Sequence, residues 1–166
     1  RLRLDLRELR KKTGGYFGSG ESTGSVGVVT INMPRIAYLS QDKDDFFRRL
    51  NKMMDLAARS LKMKRDVITR LLEEGLYPYT KRYLGSFENH FSTIGLIGMN
   101  EVGLNANWLR SDMTDKRTQE FTKEVLNHMR SRLSDYQEQY GDLYNLEATP
   151  AESTTYRLAK HDKKRW

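Results

Sequence analysis

The 166-residue chain has no cysteine, which excludes disulfides and thiolate metal sites within it. Only three histidines are present. His90, His128 and His161 are scattered, and none has metal-ligand spacing, so they are expected to be surface or satisfied structural residues. No apolar run approaches the ~18–20 residues needed to span a bilayer, and the opening "RLRLDLRELRKK" has no secretory pattern. These absences fit a cytoplasmic protein. The chain also lacks an initial Met: it begins at Arg1 within a patterned segment and ends in "HDKKRW". A piece of something longer is therefore expected.

What is present suits one α/β unit. A chain of this length typically buries roughly 70% of its unfolded surface, and hydrophobic residues make up 37%. The net charge of +7 is concentrated at the ends. Residues 1–12 and 157–166 each carry +4, leaving −1 for the residues between. A nucleic-acid face needs a basic stripe across folded elements, so two basic ends argue against one.

Along the chain, Leu2, Leu4 and Leu6 alternate with charges as in a half-buried strand. Residues 13–25, "TGGYFGSGESTGS", read as a glycine-rich loop. Its Gly18, Gly20 and Gly24 miss the dinucleotide fingerprint by one residue and precede a strand, and no Gly-Lys-Ser/Thr follows. Residues 25–33 form a β-branched run, predicted to be a strand buried on both faces. Asp42 is a plausible N-cap for a helix carrying Phe46, Leu50, Met53, Ala57 and Leu61. A second helical segment is predicted from about 66 to 74, closed by Gly75 and Pro78. Residues 92–99 form the next strand, in which Gly95 and Gly98 suggest close backbone approach. A long helix from about 113 to 140 follows, with Phe121, Val125, Met129, Leu133, Tyr136 and Tyr140 on one face. A strand over 143–148 and a helix over 151–160 complete a β-α-β-α-β-α order, for which long crossovers imply parallel pairing. An α/β barrel or an open α/β sheet satisfies it.

In such folds ligands sit beyond the carboxyl ends of the strands, here after residues 33, 99 and 148. The third corner, "EATPAESTTYR", has the richest chemistry. A helix starting near Pro150 or Ala151 presents unpartnered amides at the positive end of its dipole. Ser153, Thr154 and Thr155 would add hydroxyls around an anion. Two readings stand on local chemistry: a phosphate seat, or a helix merely capped by Thr149 or Ser153 with Glu152 at its positive end. Glu152 opposes phosphate unless its carboxylate points away. Asn145 and Glu147 alternate with Tyr144 and Leu146, so one pair can face an interior.

Three stretches in order, "GSVGVVTINMPRIAYL" at 24–39, "STIGLIGMNEVG" at 92–103 and "YNLEATPAESTTYRLAK" at 144–160, resemble the anaerobic (class III) ribonucleotide reductases. These glycyl-radical enzymes reduce ribonucleoside triphosphates to deoxyribonucleotides. The resemblance implies part of the second half of a ten-stranded α/β barrel. Residues 1–24 would be a strand and glycine-rich loop after the fingertip loop, with successive βα units over 25–91, 92–141 and 142–166. It implies substrate-phosphate contacts at Thr149, Ala151, Glu152, Ser153, Thr154 and Thr155; an acidic residue is common at the Glu152 position in this branch. Ser25 would lie beside the ribose, with Asn100 and Glu101 near the same cavity. The radical Cys would lie just upstream of Arg1 and the radical Gly downstream of Trp166, so this segment alone would be inactive and bind no cofactor. The full enzyme would carry a glycyl radical and a structural zinc elsewhere and use formate as reductant. Its partners would be a ribonucleoside triphosphate, a radical-SAM activating enzyme and a second copy of itself, with no nucleic acid and no membrane. The alternatives are a barrel of the pyruvate formate-lyase type and a non-catalytic phosphate- or nucleotide-binding α/β module.

Overall fold

The computed structural model describes residues 23–148 and 151–166. The strand expected over 1–12, most of the glycine-rich loop, Thr149 and Pro150 lie outside the described residues. Strands β1 (Gly24–Asn32), β2 (His90–Ile97) and β3 (Tyr144–Ala148) form a parallel sheet in the order β1-β2-β3. The alternation with helices makes every connection a crossover. β2 is buried along its whole length. β1 is not buried on both faces as its β-branched run suggests: Val28 is 49% exposed, because β1 pairs only with β2 among the described strands.

Six helices are described: α1 (Met33–Leu39), α2 (Lys43–Glu73), α3 (Pro78–Leu84), α4 (Met99–Asn105), α5 (Lys116–Tyr140) and α6 (Glu152–Arg165). Asp42 does cap α2, its side chain accepting from the Asp45 amide at 2.8 Å. The two helical segments expected there are one helix of 31 residues. The apolar period lapses at Arg65, a core position occupied by a charge that is only 5% exposed. Met54, not Met53, is the buried methionine of this face; Met53 is 41% exposed. Pro78 does not merely follow a helix but opens α3, where its missing N–H costs nothing.

α2 and α5 cover one face of the sheet. Ile31, Ile94, Leu96 and Tyr144 join Phe46, Leu50, Met54 and Leu61 of α2 and Phe121, Val125, Met129 and Leu133 of α5 in one core. Tyr144 donates its hydroxyl to the Ala58 carbonyl at 3.0 Å, tying β3 to α2. Gly27 lies under α2, where an added Cβ would stand 2.8 Å from Lys64 Nζ.

Candidate functional site

Strand alternation assigns the opposite face. In register across the sheet lie Val28, Thr93 and Asn145; one level on are Thr30, Gly95 and Glu147, and then Asn32 beside Ile97. Asn145 and Glu147 are thus the pair turned away from the helices, while Tyr144 and Leu146 pack against the core. The row is polar although Phe91, Thr93 and Gly95 are buried. The side-chain carbonyl of Asn145 is buried and has no hydrogen-bond partner. A β-bulge between Ser25 and Gly27 shifts the start of β1 by one residue and turns Ser25 onto this face. Its hydroxyl is 3.1 Å from that of Thr93, donates to the Gly27 carbonyl at 3.1 Å and accepts from the Gly27 amide at 3.2 Å.

The corner after β3 lies at the other end of the sheet. Ser25 is level with Phe91, and Ala148 with Leu96, a separation of roughly 17 Å along the strands at about 3.3 Å per residue. The fold therefore does not bring Ser25 into contact with the corner. Thr93, Asn145 and Glu147 line the face between them.

α6 begins with Glu152, preceded by Ala151 in the left-handed conformation at φ +42°. Ala151, its N-cap residue, makes no side-chain cap hydrogen bond, and Ser153 stands inside the first turn instead of at the cap. The alternative cap, Thr149, lies outside the described residues. A cap supplied by Ser153 is thereby overturned. The first intrahelical bond at this end runs from the Thr155 amide to the Ala151 carbonyl at 2.7 Å, so the amides of Glu152, Ser153 and Thr154 precede it and face outward. Glu152, Ser153 and Thr155 are exposed, and Ala151 and Thr154 are half-buried. Donors, hydroxyls and the positive end of a 14-residue helix converge beyond the carboxyl end of the sheet.

Asn100 and Glu101 fall in the first turn of α4, directly after β2, and both are exposed. Asn100 is engaged locally: its side-chain oxygen accepts from the Met113 amide at 3.1 Å and its amide donates to Glu101 at 3.4 Å. Between β2 and α4, Gly98 has φ +77°, and its missing Cβ makes room for Pro34 of α1.

Three residues missed in the sequence tie the strand ends together. Asn32, the last residue of β1, caps α1 by accepting from the Arg35 amide at 3.2 Å and donates its side-chain amide to Asp162 of α6 at 2.8 Å. Arg35 donates Nε to the same carboxylate at 2.6 Å and approaches it through Nη2 at 2.5 Å. Asn two positions before Pro34 is a helix-start signal. Nothing local points to Asp162.

His128 donates Nε2–H to Asn51 at 2.6 Å, and His161 is exposed. His90 is buried, with Nδ1 lacking a partner. Its burial, and then the Arg65 charge, hold its pKa below the usual histidine value. Among the described residues no group of three or more His, Asp or Glu can hold a metal ion. With no cysteine in the chain, these residues do not build a four-cysteine zinc site. No helix among them is long and apolar enough to cross a membrane.

The fold has counterparts among solved structures. The anaerobic reductase of Thermotoga maritima, solved in complex with dATP and CTP, superimposes with a TM-score of 0.80 at 27% identity, covering 87% of this chain and 25% of that one. The same enzyme with glycerol in its active site gives 0.78 at 28%, covering 86% and 24%. In sequence, the chain is 26% identical to the anaerobic ribonucleoside-triphosphate reductase of Haemophilus influenzae over 161 residues, covering 88% of this chain and 23% of the relative. It is also 26% identical to that of Enterobacteria phage T4 over 165 residues, covering 88% and 26%. The chain thus spans about a quarter of the length of these relatives. Residues 1–166 match in full the family profile described as anaerobic ribonucleoside-triphosphate reductase, and the chain belongs to that family.

Proposed function

We propose that this chain is the substrate-binding part of the catalytic barrel of an anaerobic ribonucleoside-triphosphate reductase, with the phosphates seated at the start of α6. The observation that carries this reading is the first turn of α6, which opens at Ala151 beyond the carboxyl edge of a parallel sheet with Ser153 and Thr154 in that turn. The nucleotides in the Thermotoga maritima complex are in keeping with it. One helix terminus contributes about 0.3–1 kcal/mol to an exposed charge and up to ~2 in a sheltered site, whereas micromolar affinity takes about 8 kcal/mol. The phosphate seat therefore acts with other contacts. Ser25 and the row Thr93, Asn145 and Glu147 supply polar groups for the ribose end, with Asn100 and Glu101 flanking at the end of β2.

The radical chemistry belongs to a cysteine and a glycine outside these residues, generated in a cytoplasmic homodimer with a radical-SAM activating enzyme. Zinc is also held elsewhere. With formate as reductant, the substrate's 2′-hydroxyl leaves as water while formate is oxidised to carbon dioxide. This chain's residues bind and orient the triphosphate for that exchange.

The test is the double variant Ser153→Ala/Thr154→Ala in the full-length enzyme. Hydrogen bonds to a charged group contribute about 1.5–3 kcal/mol each, so the dissociation constant for the ribonucleoside triphosphate should rise about tenfold or more. The glycyl-radical yield on activation should not change. An unchanged dissociation constant would remove the phosphate seat from this corner.

A further inference from the structure

α6 is held in an unusual way. It has no buried residue, and Ala151 at its N-cap position gives no side-chain cap bond. It runs from the end of β3 to the end of β1, where Asp162 meets Asn32 and Arg35. Both carboxylate oxygens are engaged: Oδ1 accepts from Arg35 and Oδ2 from the Asn32 amide. The Tyr38 and Trp166 rings, 5.6 Å apart, add a contact in the same final turn. Beside this junction is a cavity of about 220 Å³, lined by Pro34, Tyr38, Asn105 and Trp166 next to the Arg35–Asp162 pair.

The other half of the junction is rigid. Asn32 cannot flip its amide without losing both the α1 cap and Asp162, because its oxygen accepts from one and its nitrogen donates to the other. Arg35 follows Pro34, which sits against Gly98 at the end of β2. The Pro34 carbonyl also accepts from the Asn105 side chain of α4 at 3.3 Å. The ends of β1 and β2 thus form one platform, and Asp162 fastens α6 to it.

We propose that Asn32, Arg35 and Asp162 are positioning residues that set the direction of α6 and so the affinity of its first turn for substrate phosphates. This rests on the phosphate-seat reading and adds the device that aims it. Ten residues separate Asp162 from Glu152, about 15 Å of helix. Over that lever a tilt of about 4° displaces the first-turn amides by ~1 Å, an error large enough to change binding and rate many-fold. The clamp does not touch the phosphates; it acts through the helix.

The test uses the full-length enzyme and equilibrium binding of a ribonucleoside triphosphate. Asn32→Asp keeps the acceptor that caps α1 but sets a carboxylate against Asp162, and should weaken binding about tenfold. Adding Asp162→Asn restores a donor–acceptor pair of reversed polarity and should bring affinity back to within about threefold of wild type. Asp162→Ala, on a helix with no buried residue, removes the clamp without touching the core and should weaken binding comparably. Affinity unaltered in Asn32→Asp and Asp162→Ala overturns the proposal, as does a double variant no better than Asn32→Asp. Ser153→Ala/Thr154→Ala runs alongside. If it alone weakens binding, the clamp is wrong and the seat stands; if it leaves affinity unchanged, the seat itself is wrong.

Discussion

Gly98 joins β2 to α4 at φ +77°, and an alanine Cβ there would stand 2.3 Å from Pro34 Cγ. Left-handed backbone costs a non-glycine residue roughly 1–2 kcal/mol, and overpacking a filled site typically adds 1–3. Gly98→Ala should therefore destabilise the junction by about 2–5 kcal/mol. It should be seen as faster amide exchange across Asn32–Leu39 and Met99–Asn105 in the full-length protein; unchanged protection would show that Pro34 yields freely. That a close approach occurs at Gly98 was legible in the sequence, because a glycine at a strand end invites one. That Pro34 makes it was not, since the two residues meet only through β1–β2 pairing. Ser25 shows the same division. Its place near the start of a strand was readable, but its contact with Thr93 depends on a bulge that no local composition announces.

Among the elements, α2 and β2 depend on one buried charge. Arg65 donates to the carbonyls of Phe87 (2.8 Å) and His90 and to the Ser92 hydroxyl at 3.2 Å, fixing the entry to the central strand. Asp142 lies 3.6 Å from its Nε and balances the charge. Burial pushes the guanidinium pKa down and Asp142 opposes the shift. Removing one member of a buried ionic network typically costs about 3–5 kcal/mol. Arg65→Ala should lower stability by that order, measured as lost exchange protection across His90–Ile97, and Arg65→Lys should recover only part because it lacks the planar fork. Protection equal to wild type in Arg65→Ala would mean that the acceptors find other donors. Arg65 also explains why α2 reads as two helices: a charge at a core position hides the continuity of the apolar stripe. The seven-residue helices α1, α3 and α4 escaped for another reason. Two turns are too short for a 3.6-residue period to show in an 11–18-residue window. The long α5 was plain because Phe121, Val125, Met129, Leu133 and Tyr136 repeat over about four turns and all are buried.

For the whole molecule, the described sheet has β1 and β3 as edges, each paired only with β2. Exposed edges are templates for pairing with other chains, and large side chains such as Tyr79 and Tyr83 are also exposed. The 166-residue chain made alone should therefore self-associate or misfold, measured by light scattering after size exclusion. A monodisperse monomer with one cooperative unfolding transition would contradict this. The sequence by itself determined what depends on neighbours a few residues apart. It specified the three strands, the Asp42 cap of α2 and the apolar face of α5, the parallel pairing that long crossovers require, and a hydroxyl-rich helix start after the last strand. The tertiary structure alone decided which groups share a site. Strand register placed Ser25, Thr93, Asn145 and Glu147 on one face, and the path of α6 brought Asp162 to Asn32, 130 residues earlier. The reason is physical. Caps and periodicity are short-range interactions written in consecutive residues, whereas a contact across the sheet arises only after the crossovers have set the register.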